Sequence, residues 1–163
     1  MPKCMRKTSY GFSLIELLIV VAIILIIAAI AIPNLMRSRI AANQASCVGS
    51  LRQINTAQVT YASTFNIGFS STLSYLGPVV AGQPTSLGAG LLDSLVVSGA
   101  KSGYLFVYSA SAPDASGKVN SYEVTGTPAS PSTGTIYYFT DQSGVIRQNS
   151  TAVAGSTDSP IGG

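Results

Sequence analysis

The sequence has no histidine and only two cysteines, Cys4 and Cys47, in 163 residues. Without histidine a Ser-His-Asp relay cannot be built. Without a cysteine or histidine cluster the common zinc and iron sites are excluded. Carboxylates are scarce as well. Asp93, Asp114, Glu123, Asp141 and Asp158 stand isolated in expected loops and turns, with no sign of a glycosidase-like pair. Asp93, Asp114 and Asp141 suit turn or cap positions. No glycine loop for phosphate appears. These gaps argue against an enzyme. No catalytic, cofactor-binding or metal-binding residue is nominated.

Charge is low, at 9% of residues, and its sign is misleading. Three of the nine basic residues, Lys3, Arg6 and Lys7, precede an apolar run, and the other six balance the six acidic ones. The net charge of +3 therefore points to the chain's first residues, not to a nucleic-acid surface. Arg37, Arg39 and Arg52 recur on one expected helix but form no basic aromatic stripe.

The apolar run dominates what is present. From Phe12 to Ile32 only Ser13 and Glu16 are polar. As a helix it spans roughly 30 Å, the thickness of a bilayer core. The basic residues ahead of it hold its start on the cytoplasmic side. Glu16 is costly there, at about 2.5–3.5 kcal/mol on insertion scales. Three readings explain it: snorkelling to the interface, attraction to the helix N-terminus, or pairing with a fixed positive partner, such as a chain amine made by proteolysis.

The stretch Lys7-Thr8-Ser9-Tyr10-Gly11-Phe12-Ser13-Leu14-Ile15-Glu16-Leu17-Leu18-Ile19-Val20 resembles the class III signal of type IV pilins and type II secretion pseudopilins. The resemblance is strong over about Lys7 to Phe65 and weaker beyond. It implies cleavage after Gly11 by a prepilin peptidase and N-methylation of the new N-terminal Phe12. It also implies assembly through Phe12 and Glu16, and a helix kink or melted segment at Pro33, near residues 29–34. The implied partners are further copies in a homo-oligomeric filament, the peptidase, inner-membrane lipid, and an assembly platform with ATPase-driven machinery. The implied location is the bacterial inner membrane as a precursor, then an extracellular fibre. The alternative within the family is a periplasmic pseudopilin. A membrane-anchored binding domain that never assembles is a third reading. No specific nucleic acid, small-molecule ligand or cofactor is expected. An ordinary signal peptide ending at Ala29-Ile30-Ala31 competes, but the apolar run is too long for one. If the leader is removed, Cys47 has no partner in the chain and reads as a small buried apolar residue.

The expected fold is α+β, with a long N-terminal helix whose second half packs on a small antiparallel sheet of three or four strands. The expected divisions are a leader at 1–11, a membrane or filament-core half-helix at 12–35, and a globular head at 36–163. In the head, a helix covers 36–66, a connecting loop 67–100, the sheet 103–149 and a frayed tail 150–163. Ile40, Val48, Leu51, Ile54, Tyr61 and Phe65, with Ala41, Ala45 and Ala57, make the apolar stripe of that helix. Asn43, Asn55 and Gln58 read as its polar positions. Asn66 and Gly68 supply a stop. A short helical piece fits 91–96. Strands are expected at 104–108, 121–125 and 135–140, with 145–147 returning across a turn at 141–144.

Overall fold

The computed structural model describes residues 11–79 and 82–162. The leader therefore lies outside the described residues except for Gly11, and Cys4 with it. Helix α1 runs from Leu14 to Phe65, 52 residues without a break, with Pro33 inside it. Of the kink or melted segment expected near 29–34, the structure shows no melting, since these residues are helical throughout. Proline removes one N–H and leaves the carbonyl of Ala29 short of a donor. Its neighbours Ala28, Ala29, Ala31, Leu35 and Met36 are good helix formers, so the loss stays local.

The chain divides after Arg37 into two units. The first is the apolar stretch of α1, long and apolar enough to cross a membrane, with none of its most apolar window buried. The second, from Ser38, has a layered core. Cys47, Leu51, Ile54, Ala57 and Tyr61 line one face of α1 and are buried against a five-stranded antiparallel sheet. Its strands are β1 (Ala100–Lys101), β2 (Tyr104–Ala110), β3 (Tyr122–Pro128), β4 (Tyr137–Asp141) and β5 (Ile146–Asn149), neighbours in that order. The period-2 alternation expected of half-buried strands holds at the start of β2 and β3 but not in β4, where Tyr138, Phe139 and Thr140 are all buried. Tyr104, Phe106, Tyr122, Val124, Tyr138 and Ile146 point inward. One extra strand, the two-residue β1, joins those expected, because the connection before β2 folds back onto it.

Gly126 in β3 explains how closely helix and sheet approach. A Cβ there would lie 2.7 Å from the Cys47 sulfur, inside contact distance. Cys47 fills the space a side chain would have taken, and burial pushes its thiol up to about 12. The small apolar reading of Cys47 is the observed one.

Helix α1 stops as its sequence suggests. Asn66 adopts a left-handed φ of 55° and its N–H donates to the Ala62 carbonyl at 3.0 Å. Gly68 follows at φ 79°, where a Cβ would collide with the Val119 carbonyl oxygen. The connection to the sheet is anchored: Leu73 and Leu76 of a 3-10 turn, Leu92, and Val96 of helix α2 (Ser94–Val97) are buried. Helix α2 begins three residues later than the expected piece, because Asp93 caps it by accepting from the Val96 N–H at 2.8 Å.

The frayed tail is a correction. Residues 159–161 pair antiparallel with the free edge of β5, through Gln148 N–H to the Ser159 carbonyl and Ile161 N–H to the Ile146 carbonyl, both 2.9 Å. Asp158 holds the turn before them by accepting from Asn149 Nδ2 and the Gly155 N–H. Arg147 Nη1 donates to the Asp158 carbonyl at 2.9 Å, and Ala154 is buried. Small polar residues suggested fraying, but an open sheet edge offers them main-chain partners.

Candidate functional site

The amino-terminal site is built from the start of α1. Gly11, Phe12 and Ser13 precede the helix, and the Leu17 N–H donates to the Ser13 carbonyl at 3.2 Å. Glu16 stands in the first turn. Phe12 is 72% exposed, and Glu16 is exposed among leucines and isoleucines that are exposed as well. Among the described residues the one ion pair is Lys101 with Asp93, at 3.0 Å, so none reaches Glu16. Phe12 and Glu16 thus lie about one turn apart at the start of an apolar helix, and among the described residues no ion-pair partner reaches the Glu16 carboxylate. Pro33 is 17 residues further along the same helix and touches neither.

A second constellation was not read from the sequence. Asn43, Asn55 and Gln58, expected as outward polar positions, turn toward the sheet. Asn55 Nδ2 donates to Thr140 Oγ1 at 2.9 Å and to the Gly144 carbonyl at 3.1 Å, and Asn55 Oδ1 accepts from the Tyr122 hydroxyl at 3.1 Å. Gln58 has no exposed surface. Its Nε2 donates to Ser70 Oγ at 2.9 Å and to the Tyr108 hydroxyl at 2.7 Å, its Oε1 accepts from the Ser70 N–H at 2.9 Å, and the Tyr108 hydroxyl donates to the Ser70 carbonyl. At the other end Asn43 Nδ2 donates to the Thr133 carbonyl, Gln44 Nε2 to Thr135 Oγ1, and Ser46 Oγ to Ser102 Oγ. Spacing carried a signal: Asn43, Cys47, Leu51 and Asn55 are four apart, as are Ile54 and Gln58, so the amides share the apolar stripe. Ala41 and Ala45, placed on that stripe, are exposed instead.

Burial pushes the Tyr108 and Tyr122 hydroxyls up, Tyr122 to about 12, which keeps both as neutral donors. Asp93, Asp114 and Asp141 do serve turns and caps. Asp114 accepts from the Ser116 and Lys118 N–H groups, and Asp141 from the Ser143 N–H. Bonds from Ser116 and Asn120 hold the Asp114 carboxyl well below its usual range. The carboxylates are less isolated than expected, because Glu123 and Asp141 are direct cross-strand neighbours on β3 and β4. They edge a shallow groove of about 360 Å³ with Ser109, Ser111 and Ser121. Among the described residues no group of three potential metal ligands occurs. Arg52 is exposed and lines a second groove of about 450 Å³ with Thr56, Leu92 and Asp93.

The prokaryotic N-terminal methylation motif matches residues 6–32. Over 53 residues the chain is 49% identical to the type IV major pilin protein PilA of Myxococcus xanthus (strain DK1622). That match covers 32% of this chain and 24% of the relative, so the chain spans about a quarter of the curated protein it matches. No solved structure matches.

Proposed function

We propose that the chain, which carries the N-terminal methylation motif and is similar in its amino-terminal segment to a type IV major pilin, is a type IV pilin and the building subunit of a type IV pilus-like filament. The family is one of structural subunits, not enzymes. A peptidase cuts between Gly11 and Phe12 and methylates the Phe12 amine. Before assembly the apolar half of α1 sits in the inner membrane. During assembly it exchanges lipid for the helices of neighbouring copies. Both surroundings are dry, so one sequence serves both.

The observation that carries this reading is the lone Glu16 carboxylate on an apolar, unburied helix one turn from Phe12. In the filament Glu16 pairs with the Phe12 amine of a neighbouring subunit. A buried carboxylate stripped of such a partner costs about 3–5 kcal/mol, so the pair selects one axial register. The likeness to a protein named a major pilin favours a surface fibre over a periplasmic pseudopilus.

The test is the N-terminal sequence and intact mass of the protein recovered from its host's envelope. The expected result is a chain starting at Phe12 with one added methyl. A start at Ile32 would mean an ordinary signal peptide, and a start at Met1 an unprocessed anchor. Either sinks the proposal.

A further inference from the structure

We propose that the amide side chains of α1 form a shear clamp that fixes the axial position of the helix against the sheet. The helix offers the sheet two kinds of contact. Leu51, Ile54 and Tyr61 are held by burial, which is non-directional and survives small displacements. Asn55 and Gln58 are held by hydrogen bonds, which weaken steeply with distance and angle. Their partners come from separate parts of the unit: Tyr108 on β2, Tyr122 on β3, Thr140 on β4, Gly144 in the β4–β5 turn, and Ser70 beyond the helix end. Gln58, Ser70 and Thr140 have no exposed surface. A slide of about 1.5 Å along the axis, the rise of one residue, without rotation keeps the apolar stripe on the sheet. It would carry these bonds together out of hydrogen-bond geometry and strand buried polar groups, whereas non-directional apolar burial alone would resist it weakly. Fixing register is the best-attested use of buried polar groups. Asn43, Gln44 and Ser46 repeat the arrangement at the other end of the contact.

The clamp gains a purpose from the filament reading, on which it rests for the source of tension: pull along a fibre reaches each head through its helix. Its mechanical signature does not require a fibre. The full chain, with Cys4 replaced by serine, is tethered for single-molecule pulling in two geometries. Handles at Ala41→Cys and Ala115→Cys load the contact along the helix, and handles at Val59→Cys and Val107→Cys peel the helix from the sheet. All four positions are exposed, and buried Cys47 stays unlabelled. With Asn55→Leu and Gln58→Leu together, the unfolding force falls in the axial geometry and holds in the peeling one. If that double variant fails to fold, Gln44→Ala with Ser46→Ala shows the same directional loss in smaller degree. Equal proportional losses in both geometries, or none in either, overturn the proposal. A chain that gives the directional loss yet starts at Met1 in its host keeps the clamp and loses the filament.

Discussion

The two halves of α1 share one backbone and treat water in opposite ways. From Leu14 to Arg37 large apolar side chains stand exposed, Leu14 at 80% and Ile30 at 72%. From Ser38 to Phe65 polar side chains are buried, Ser50 at 2% and Gln58 at 0%. The first half has an unmet need for dry surroundings, which in the proposed filament sister helices would supply. The second half already has its partner, and that partner carries hydrogen-bond groups placed to match. In the proposed reading, exposure of apolar residues serves assembly and burial of polar ones serves alignment.

The largest effect should come from Glu16, the one carboxylate in the apolar half. Glu16→Ala should abolish fibres, seen by electron microscopy of surface preparations, while mass spectrometry still shows a start at Phe12. Fibres of normal number would break the register argument. A leucine pair comes next. Leu51→Ala should lower the unfolding stability of the second unit by about 2–5 kcal/mol, read by urea titration of tyrosine fluorescence. Leu18→Ala in the apolar half should leave that transition where it is. If the two variants behave alike, the halves are not the different objects described here.

The smallest effect concerns a cap. Asp93→Ala should cost about 1 kcal/mol at neutral pH through loss of the α2 cap, less where solvent screens its pairing with Lys101. The Val96 N–H first, and then Lys101, hold the Asp93 carboxyl below its usual range. The native state thus favours the ionised form. Its contribution is complete above the ordinary carboxylate value of about 3.9 and fades as pH drops through the lower folded value. Urea titrations of both proteins should converge in acid. A gap that stays constant down to strongly acid pH would assign the effect to something other than the cap.

Much of this was legible in the residues because it depends on neighbours in the chain. The strand at 104–108, the turn at 141–144 and the Asp93, Asp114 and Asp141 caps follow from local pattern and short-range hydrogen bonds. The orientation of Asn55 and Gln58 did not, because residue type favours water unless a partner waits on the other side. The role of Asp158 was hidden for the same reason: without the β5 edge, residues 150–162 have nothing to bind. Phe139 shows a further limit. It alternates onto the face of the sheet away from the helix, beside Thr125 and Arg147, and is nonetheless 5% exposed.

By itself the sequence determined the apolar rod, the place of Glu16 one turn into it, and the change to an amphipathic pattern beyond Pro33. Those are properties of composition and spacing, which the chain carries with it into any surroundings. Only the tertiary structure decided which polar residues turn inward, where helix and sheet come close enough to require Gly126, and that the last residues form an edge rather than a tail. These depend on groups brought together from as far apart as Asn55 and Thr140. A polar side chain is stable inside only where such a partner meets it.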